Sequence, residues 1–318
     1  MVEQSKKPIS FISLHMPPNS IILAMVCIIM TLRAYAKINI GLNVLGKRSD
    51  GYHDLETVFH EIDCFDEIEL EQHDKVAMTA DSILVPIDTS NLCISAANLL
   101  HKEKHIQQGV MIHLKKNIPI GAGLGGGSSD AAAVLCGLNQ FWKLKLSNNQ
   151  LRALAAQIGS DVPFFIDGGT AYATGRGEIL ESFSLTMPFW IAVVTPMIHI
   201  STTWAYNHLV LSRNGKASGL RTKLVKQISN PQKLASIAQN DFEPSAFQNY
   251  PELSRVKEKL KEMGAVFSLM SGSGSSIYGF FENEKKAIAA LSSFPKNYQT
   301  SITAPSFNRS TNLKPTKS

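Results

Sequence analysis

Residues 118–133 read IPIGAGLGGGSSDAAA, with glycine at five of the seven positions 121–127 and alanines close behind. Glycine is costly to order, and alanine is the best helix former. The stretch therefore reads as a tight loop that opens a helix over 128–142, with Ser or Asp at its N-cap. Ahead of it, GVMIHLKKNIPI (109–120) reads as a strand running into the loop. Strand, glycine loop and helix in succession turn several N–H groups toward one point and add the partial positive charge of a helix N-terminus. The natural guest is a polyphosphate.

Three loops share that physics, and the sequence separates them. Residues 121–126 match G-x-G-x-x-G, but a dinucleotide site also wants an acidic residue about 20 positions on. No Asp or Glu stands between Asp130 and Asp161. The Walker loop needs Lys followed by Ser or Thr after its last glycine, whereas Gly126 is followed by Gly127 and Ser128. A protein-kinase glycine loop joins two strands, and this one opens a helix.

The chain has 318 residues, room for one large domain or two. Its net charge of +5 suits an anionic small molecule or nucleic acid. The positive charge is scattered or lies in 212–230, read as a surface loop, without interleaved aromatics, which argues against a nucleic-acid-binding module. Cys27, Cys64, Cys93 and Cys136 form no CxxC pair, so they read as reduced thiols of a cytoplasmic protein. IILAMVCIIM (21–30) is too short to span a bilayer as a helix. Lys6, Lys7 and the Ala34-Tyr35-Ala36 triplet imitate a signal peptide. We read 1–30 as a disordered or spurious extension and expect no membrane partner. The polar, basic residues 305–318 read as a disordered tail.

The middle of the chain mixes strands and helices without strict alternation, the mark of an α+β fold. LRAYAKINIGLNVL (32–45) reads as a strand, 53–72 as two more, 92–104 as a helix. A helix over 147–159 opens with a Ser147…Gln150 capping box. PFFIDGGTAYATGRG (163–177) and PFWIAVVTP (188–196) read as strands, 252–263 as a helix, 265–281 as strand, glycine turn, strand. A seam near 180 gives an N-terminal part, 31–180, and a C-terminal part, 181–304.

Four positions carry possible chemistry. Lys37 and Asn39 share one strand face, opposite Ile38 and Ile40. They read either as a solvated edge or as part of a site. Tyr52 and His53 form either a surface turn or a seat for a flat heterocycle. Asp161, past a helix end and beside Val-Pro-Phe-Phe, reads as a general base or as a turn residue bonding its own backbone. SGSGSS (271–276) reads as a hairpin turn or as a loop closing over phosphate. His101 and His105, spaced i,i+4 between lysines with no third ligand, read as an exposed helix face.

Taken together, PIGAGLGGGSSDAAA, AKINIGLNVLGKRSDGYHDL (36–55), IGSDVPFF (158–165), SGSGSS and NDFEP (240–244) resemble the GHMP kinases. Within them they resemble the branch whose substrate is a cytidine diphosphate derivative of methylerythritol, over about 31–303. The resemblance implies a two-domain α+β fold, with an N-terminal ribosomal-protein-like domain, a C-terminal α+β domain and the site in the cleft between them. It implies that Pro119, Ile120, Gly121, Ala122, Gly123, Leu124, Gly125, Gly126, Gly127, Ser128 and Ser129 wrap ATP, with Mg²⁺ carried by the phosphates and Ser129. It makes Asp161 the catalytic base and Lys37 its catalytic partner, with Asn39 ordering the site. Tyr52 would stack on cytosine and His53 bond its edge. ISTTWAY (200–206), aligned with a substrate strand, would give Thr202 as a hydroxyl and Tyr206 as the opposite aromatic. Homoserine- or mevalonate-type kinases are the alternatives. A monomer or weak homodimer is expected. Cleavage after Ala36 would leave the Lys37 strand as a ragged terminus, which argues against a signal peptide.

Overall fold

The computed structural model describes residues 29–210 and 217–309. The extension (through residue 28), Cys27 and the tail from 310 lie outside the described residues. The first strand, β1 (Ile29–Lys47), and β2 (His53–His73) form a long antiparallel hairpin. The sequence reading split 53–72 into two strands. One strand forms instead, because a shift of register between Tyr35↔Phe65 and Lys37↔Glu61 absorbs the irregularity as a bulge. β2 carries β1 on one edge; on the other it carries β4 (Gly109–Lys115) and β5 (Thr170–Thr174). β3 (Val76–Ala80) joins β4 in parallel, and β6 (Ile179–Ser182) closes the far side.

Helices α1 (Leu92–Lys104), α2 (Gly126–Phe141), α3 (Asn148–Ile158) and α4 (Val162–Asp167) accompany this sheet. Ala131, Val134, Leu135 and Leu138 of α2 share a core with Ile68, Leu70 and Ile112. The expected capping box at Ser147 and Gln150 is present. α2, however, starts at Gly126 with Gly125 as its N-cap, not Ser or Asp. Gly125 has φ +73°, a conformation glycine adopts without a Cβ penalty, and it leaves both serines in the first turn. The segment 163–167, the first part of the strand expected over 163–177, is not strand. It folds as α4, with Pro163 in its first turn, and Gly168 and Gly169 at positive φ reverse the chain into β5.

The second sheet has the order β10-β7-β9-β8, built from β7 (Trp190–Thr195), β8 (Phe267–Met270), β9 (Ile277–Phe281) and β10 (Gln299–Thr303). The remaining helices are α5 (Thr202–Asn207), α6 (Leu220–Gln227), α7 (Pro231–Ile237), α8 (Glu243–Asn249), α9 (Pro251–Glu262) and α10 (Glu284–Ser292). Two of these correct expectations. Residues 200–206 are not a strand: Ser201 accepts from Trp204 N and starts α5. The stretch 212–230 is not wholly loop, because the Glu56 carboxylate accepts from the N–H groups of Ser218 (2.7 Å) and Leu220 (2.9 Å) and fixes the start of α6; residues 211–216 lie outside the described set.

The sheets meet through the hairpin. Ile38, Ile40, Val58 and Ile62 share a buried cluster with Ile191, Val193, Leu269 and Phe280. Each such side chain contributes roughly 1.5–3 kcal/mol by burial. Ile38 and Ile40 thus hold one face of β1 against the second sheet and leave Lys37 and Asn39 on the other.

The tail also departs from expectation at 305–309. Ser306 N donates to Met187 O (2.9 Å), and the Phe307 ring lies 5.4 Å from that of Tyr35. Arg309 donates to the carbonyls of Phe165 (3.1 Å) and Ile166 (2.8 Å) and to the buried Glu61 carboxylate (3.3 Å). A buried carboxylate needs a partner, and Arg309, far along the chain, supplies a cation. No helix of the described residues is long and apolar enough to cross a membrane.

Candidate active site

Lys37 is buried, so its ammonium must be satisfied inside the protein. Nζ donates to Asn39 Oδ1 (2.6 Å) and Gly123 O (3.0 Å). Burial drives its pKa below the ordinary lysine value, and the charge of Asp161 opposes that shift. Asn39 Nδ2 donates to Thr57 Oγ1 (2.8 Å), which donates to Gly41 O (2.6 Å). The Lys37–Asn39 face is thus not a solvated edge. It lies under the glycine loop, where Leu124 O accepts from Lys37 N (3.0 Å).

The second glycine loop locks onto the first. Ser271 Oγ donates to Gly123 O (2.9 Å), and Ser276 N donates to Ala122 O (3.1 Å). The approach is so close that a Cβ on Gly123 would lie 2.1 Å from Ser271 O. Asn240, in the NDFEP stretch, holds the second loop by donating to Met270 O and Gly272 O, both at 2.8 Å.

Two cavities flank the glycine loop, and Gly121, Gly123 and Gly125 wall both. The larger, of about 1010 Å³, brings together Lys37, Asn39, Tyr52, His53, Asp161, Thr202 and Tyr206. Asp161 stands at the start of α4, and its side chain does not cap that helix. At the far end the His53 and Tyr206 rings stack at 4.8 Å and 22°. Phe242 meets Tyr206 edge-on at 5.0 Å. Tyr206 thus lies on His53, and Tyr52 stands exposed with the Arg176 guanidinium 4.7 Å from its ring centre. Burial, helped by Lys47, lowers the His53 pKa below the ordinary imidazole value. Burial pushes the Tyr206 phenol up to about 12, and the charge of Asp161 adds to the shift.

The smaller cavity, of about 330 Å³, is lined by Leu84, Val85 and Pro86 on one side and by the loop on the other. All the expected phosphate-loop residues line it except Leu124 and Ser129. Leu124 is buried in the core between the sheets. Ser129 donates to Tyr35 O (2.6 Å), so Ser128 is the serine presented to the cavity. Beneath the loop lies a buried triad that the sequence reading missed: Lys116 Nζ donates to Asp66 and to Asp130 (2.8 Å). Burial alone would lower the Lys116 pKa, but the two carboxylates reverse this and raise it. Burial raises that of Asp130 well above the carboxylate range, despite Lys116. Thr57, Arg176 and His199, all lining the larger cavity, were also missed. Of these only Arg176 left a sequence signal, an arginine between two glycines in ATGRGE.

The described residues hold no group of three or more His, Cys, Asp or Glu fit to cage a metal. His101 bonds Gln108 O through Nε2, and His105 caps α1, so neither ring belongs to such a group.

The GHMP kinase N-terminal domain matches residues 91–169, and the GHMP kinase C-terminal domain matches residues 222–300. The fold and these two matches define a GHMP kinase. A protein of Pelodictyon phaeoclathratiforme named 4-diphosphocytidyl-2-C-methyl-D-erythritol kinase is 42% identical over 87% of this chain and 98% of its own length. The protein of that name in Chlorobium limicola is 43% identical over 88% of this chain and 98% of its own. A crystal structure of 4-(cytidine 5'-diphospho)-2C-methyl-D-erythritol kinase superposes with a TM-score of 0.74 at 33% identity, covering 86% of this chain and 98% of that one. Homoserine kinase from Cytophaga hutchinsonii shares the fold, with a TM-score of 0.68 at 18% identity over 86% of this chain and 95% of its own. The chain belongs, within the GHMP kinases, to the 4-diphosphocytidyl-2-C-methyl-D-erythritol kinase family. Membership implies ATP as phosphoryl donor and a small molecule as acceptor.

Proposed function

We propose that the chain phosphorylates the 2-hydroxyl of 4-diphosphocytidyl-2-C-methyl-D-erythritol with ATP, a step in non-mevalonate isoprenoid precursor biosynthesis. The observation that carries this reading is the larger cavity, which holds a lysine–carboxylate pair at one end and aromatic rings at the other. A homoserine or mevalonate substrate has no base to meet those rings.

In this reading Asp161 takes the proton of the 2-hydroxyl as its oxygen bonds to the γ-phosphorus, and the phosphorus–oxygen bond to ADP breaks. Lys37 neutralises charge on the equatorial oxygens, and Asn39 fixes the Lys37 ammonium. The N–H groups from Gly121 to Ser128 hold the phosphates at the start of α2, and the smaller cavity takes the rest of the nucleotide. Mg²⁺ carried by the phosphates would neutralise their charge, and Ser128, which lines the smaller cavity, would offer it a hydroxyl. Tyr52, His53 and Tyr206 receive cytosine, and Thr202, exposed at the start of α5, bonds the polar part of the substrate. We place the enzyme in the cytoplasm, as a monomer or weak homodimer, in keeping with the free thiols of Cys64, Cys93 and Cys136.

A coupled ADP-release assay tests the reading. Turnover is expected with the cytidine diphosphate substrate and not with mevalonate or homoserine. Preference for either of the latter would overturn it.

A further inference from the structure

Arg176 stands at the tip of the turn between β5 and β6, flanked by Gly175 (φ +67°) and Gly177 (φ +105°). The turn is tied to both ends of the larger cavity. Gly175 O accepts from Leu55 N (2.7 Å), two residues beyond His53. A Cβ on Gly177 would lie 3.7 Å from Asp161 Oδ1. The guanidinium therefore sits between the aromatic end and the carboxylate end, and it lines the cavity.

Its surroundings leave it free to take a ligand. One edge faces Glu178, with Nε 3.5 Å from Oε1, and the plane lies over Tyr52. Asp50, on the exposed turn before Tyr52, also attracts the guanidinium electrostatically, but its one ion pair among the described residues is that to Glu178 through Nε. Lys37, bonded to Asn39 and Gly123 under the loop, belongs to the carboxylate end with Asp161. Lys47, the other cation on this wall, pairs with His53 across the β1–β2 ladder and offers a point charge. A guanidinium presents a planar fork that matches two phosphate oxygens at once.

We propose that Arg176 binds the diphosphate of the substrate between base and polyol, and so selects nucleoside diphosphate derivatives over nucleosides. The proposal rests on the reading of the larger cavity as the substrate site.

Titration calorimetry on the full chain tests it, with CDP and cytidine as probes against the wild type, Arg176→Met and Arg176→Lys. The wild type is expected to bind CDP more tightly than cytidine. Arg176→Met should lose about ten- to hundredfold in CDP affinity, the range of a charge-assisted bond, and keep its cytidine affinity, which also shows that the variant is folded. Arg176→Lys should fall between, since it keeps the charge and loses the fork. Equal losses for both probes, or no loss for CDP, would overturn the role of Arg176. A wild type that binds neither probe would overturn the substrate-site reading itself.

Discussion

Replacing Lys116 by Met separates the electrostatics under the glycine loop from its shape. Met is close in length to Lys and keeps the apolar stem. In the wild type one ammonium serves two buried carboxylates, Asp66 and Asp130; it meets Asp130 at Oδ2, and Asp130 Oδ1 has no hydrogen-bond partner among the described residues. A Cβ on Gly126 would lie 2.9 Å from Lys116 Nζ, so the cation sits directly below the first turn of α2. Removing one partner of a buried ion pair costs about 3–5 kcal/mol. At about 2–4 °C per kcal/mol for a chain of this size, the melting temperature should fall by roughly 6–20 °C near neutral pH. The direction with pH follows from Asp130. Its folded pKa is raised by burial, and loss of Lys116 removes an influence that lowers it. The penalty is therefore full above that folded pKa and recedes as pH falls through it. Thermal melts near neutral pH and about 2 units lower read both effects, and Asp130→Asn added to Lys116→Met should recover part of the loss. A melting temperature unchanged at neutral pH, or a loss that does not shrink on acidification, would refute the reasoning.

Gly123→Ala should weaken ATP binding about tenfold or more, because φ +79° costs an L-residue roughly 1–2 kcal/mol and the new Cβ meets Ser271 O. Calorimetry reads the affinity, and a variant that binds ATP as tightly as the wild type would contradict the packed-loop account. Lys47→Met should raise the His53 pKa toward the ordinary imidazole value, since Lys47 now helps to lower it. Imidazole NMR titration checks this, and an unmoved midpoint would remove Lys47 from the electrostatics of the aromatic end.

Local chemistry was legible where one stretch of chain decides the outcome. The glycine loop, the capping box at Ser147 and the shared face of Lys37 and Asn39 all belong to that class. The apolar run at 162–167 was not legible, because a six-residue apolar segment has the same pattern as helix or strand, and only the flanking glycines decide. Lys116 was missed because its partners come from β2 and α2, distant in sequence and joined only by the fold. Arg309 sits in a stretch with the composition of a disordered tail, yet the buried Glu61 and two carbonyls of α4 hold it. The stacking of Tyr206 on His53 was not legible, because it depends on the helix that starts at Ser201, where the sequence reading aligned a strand.

The central claim is that Asp161 takes the proton of the acceptor hydroxyl across a site held by Lys37 and the glycine loop. Asp161→Asn keeps the shape of the side chain and removes the base. The most direct test is the single-turnover rate of this variant at saturating ATP and cytidine diphosphate substrate, with ATP affinity measured alongside. The rate should fall about a hundred- to ten-thousandfold, the range for loss of a general base, while ATP affinity holds. A rate within about twofold of the wild type, far below that range, would contradict the claim.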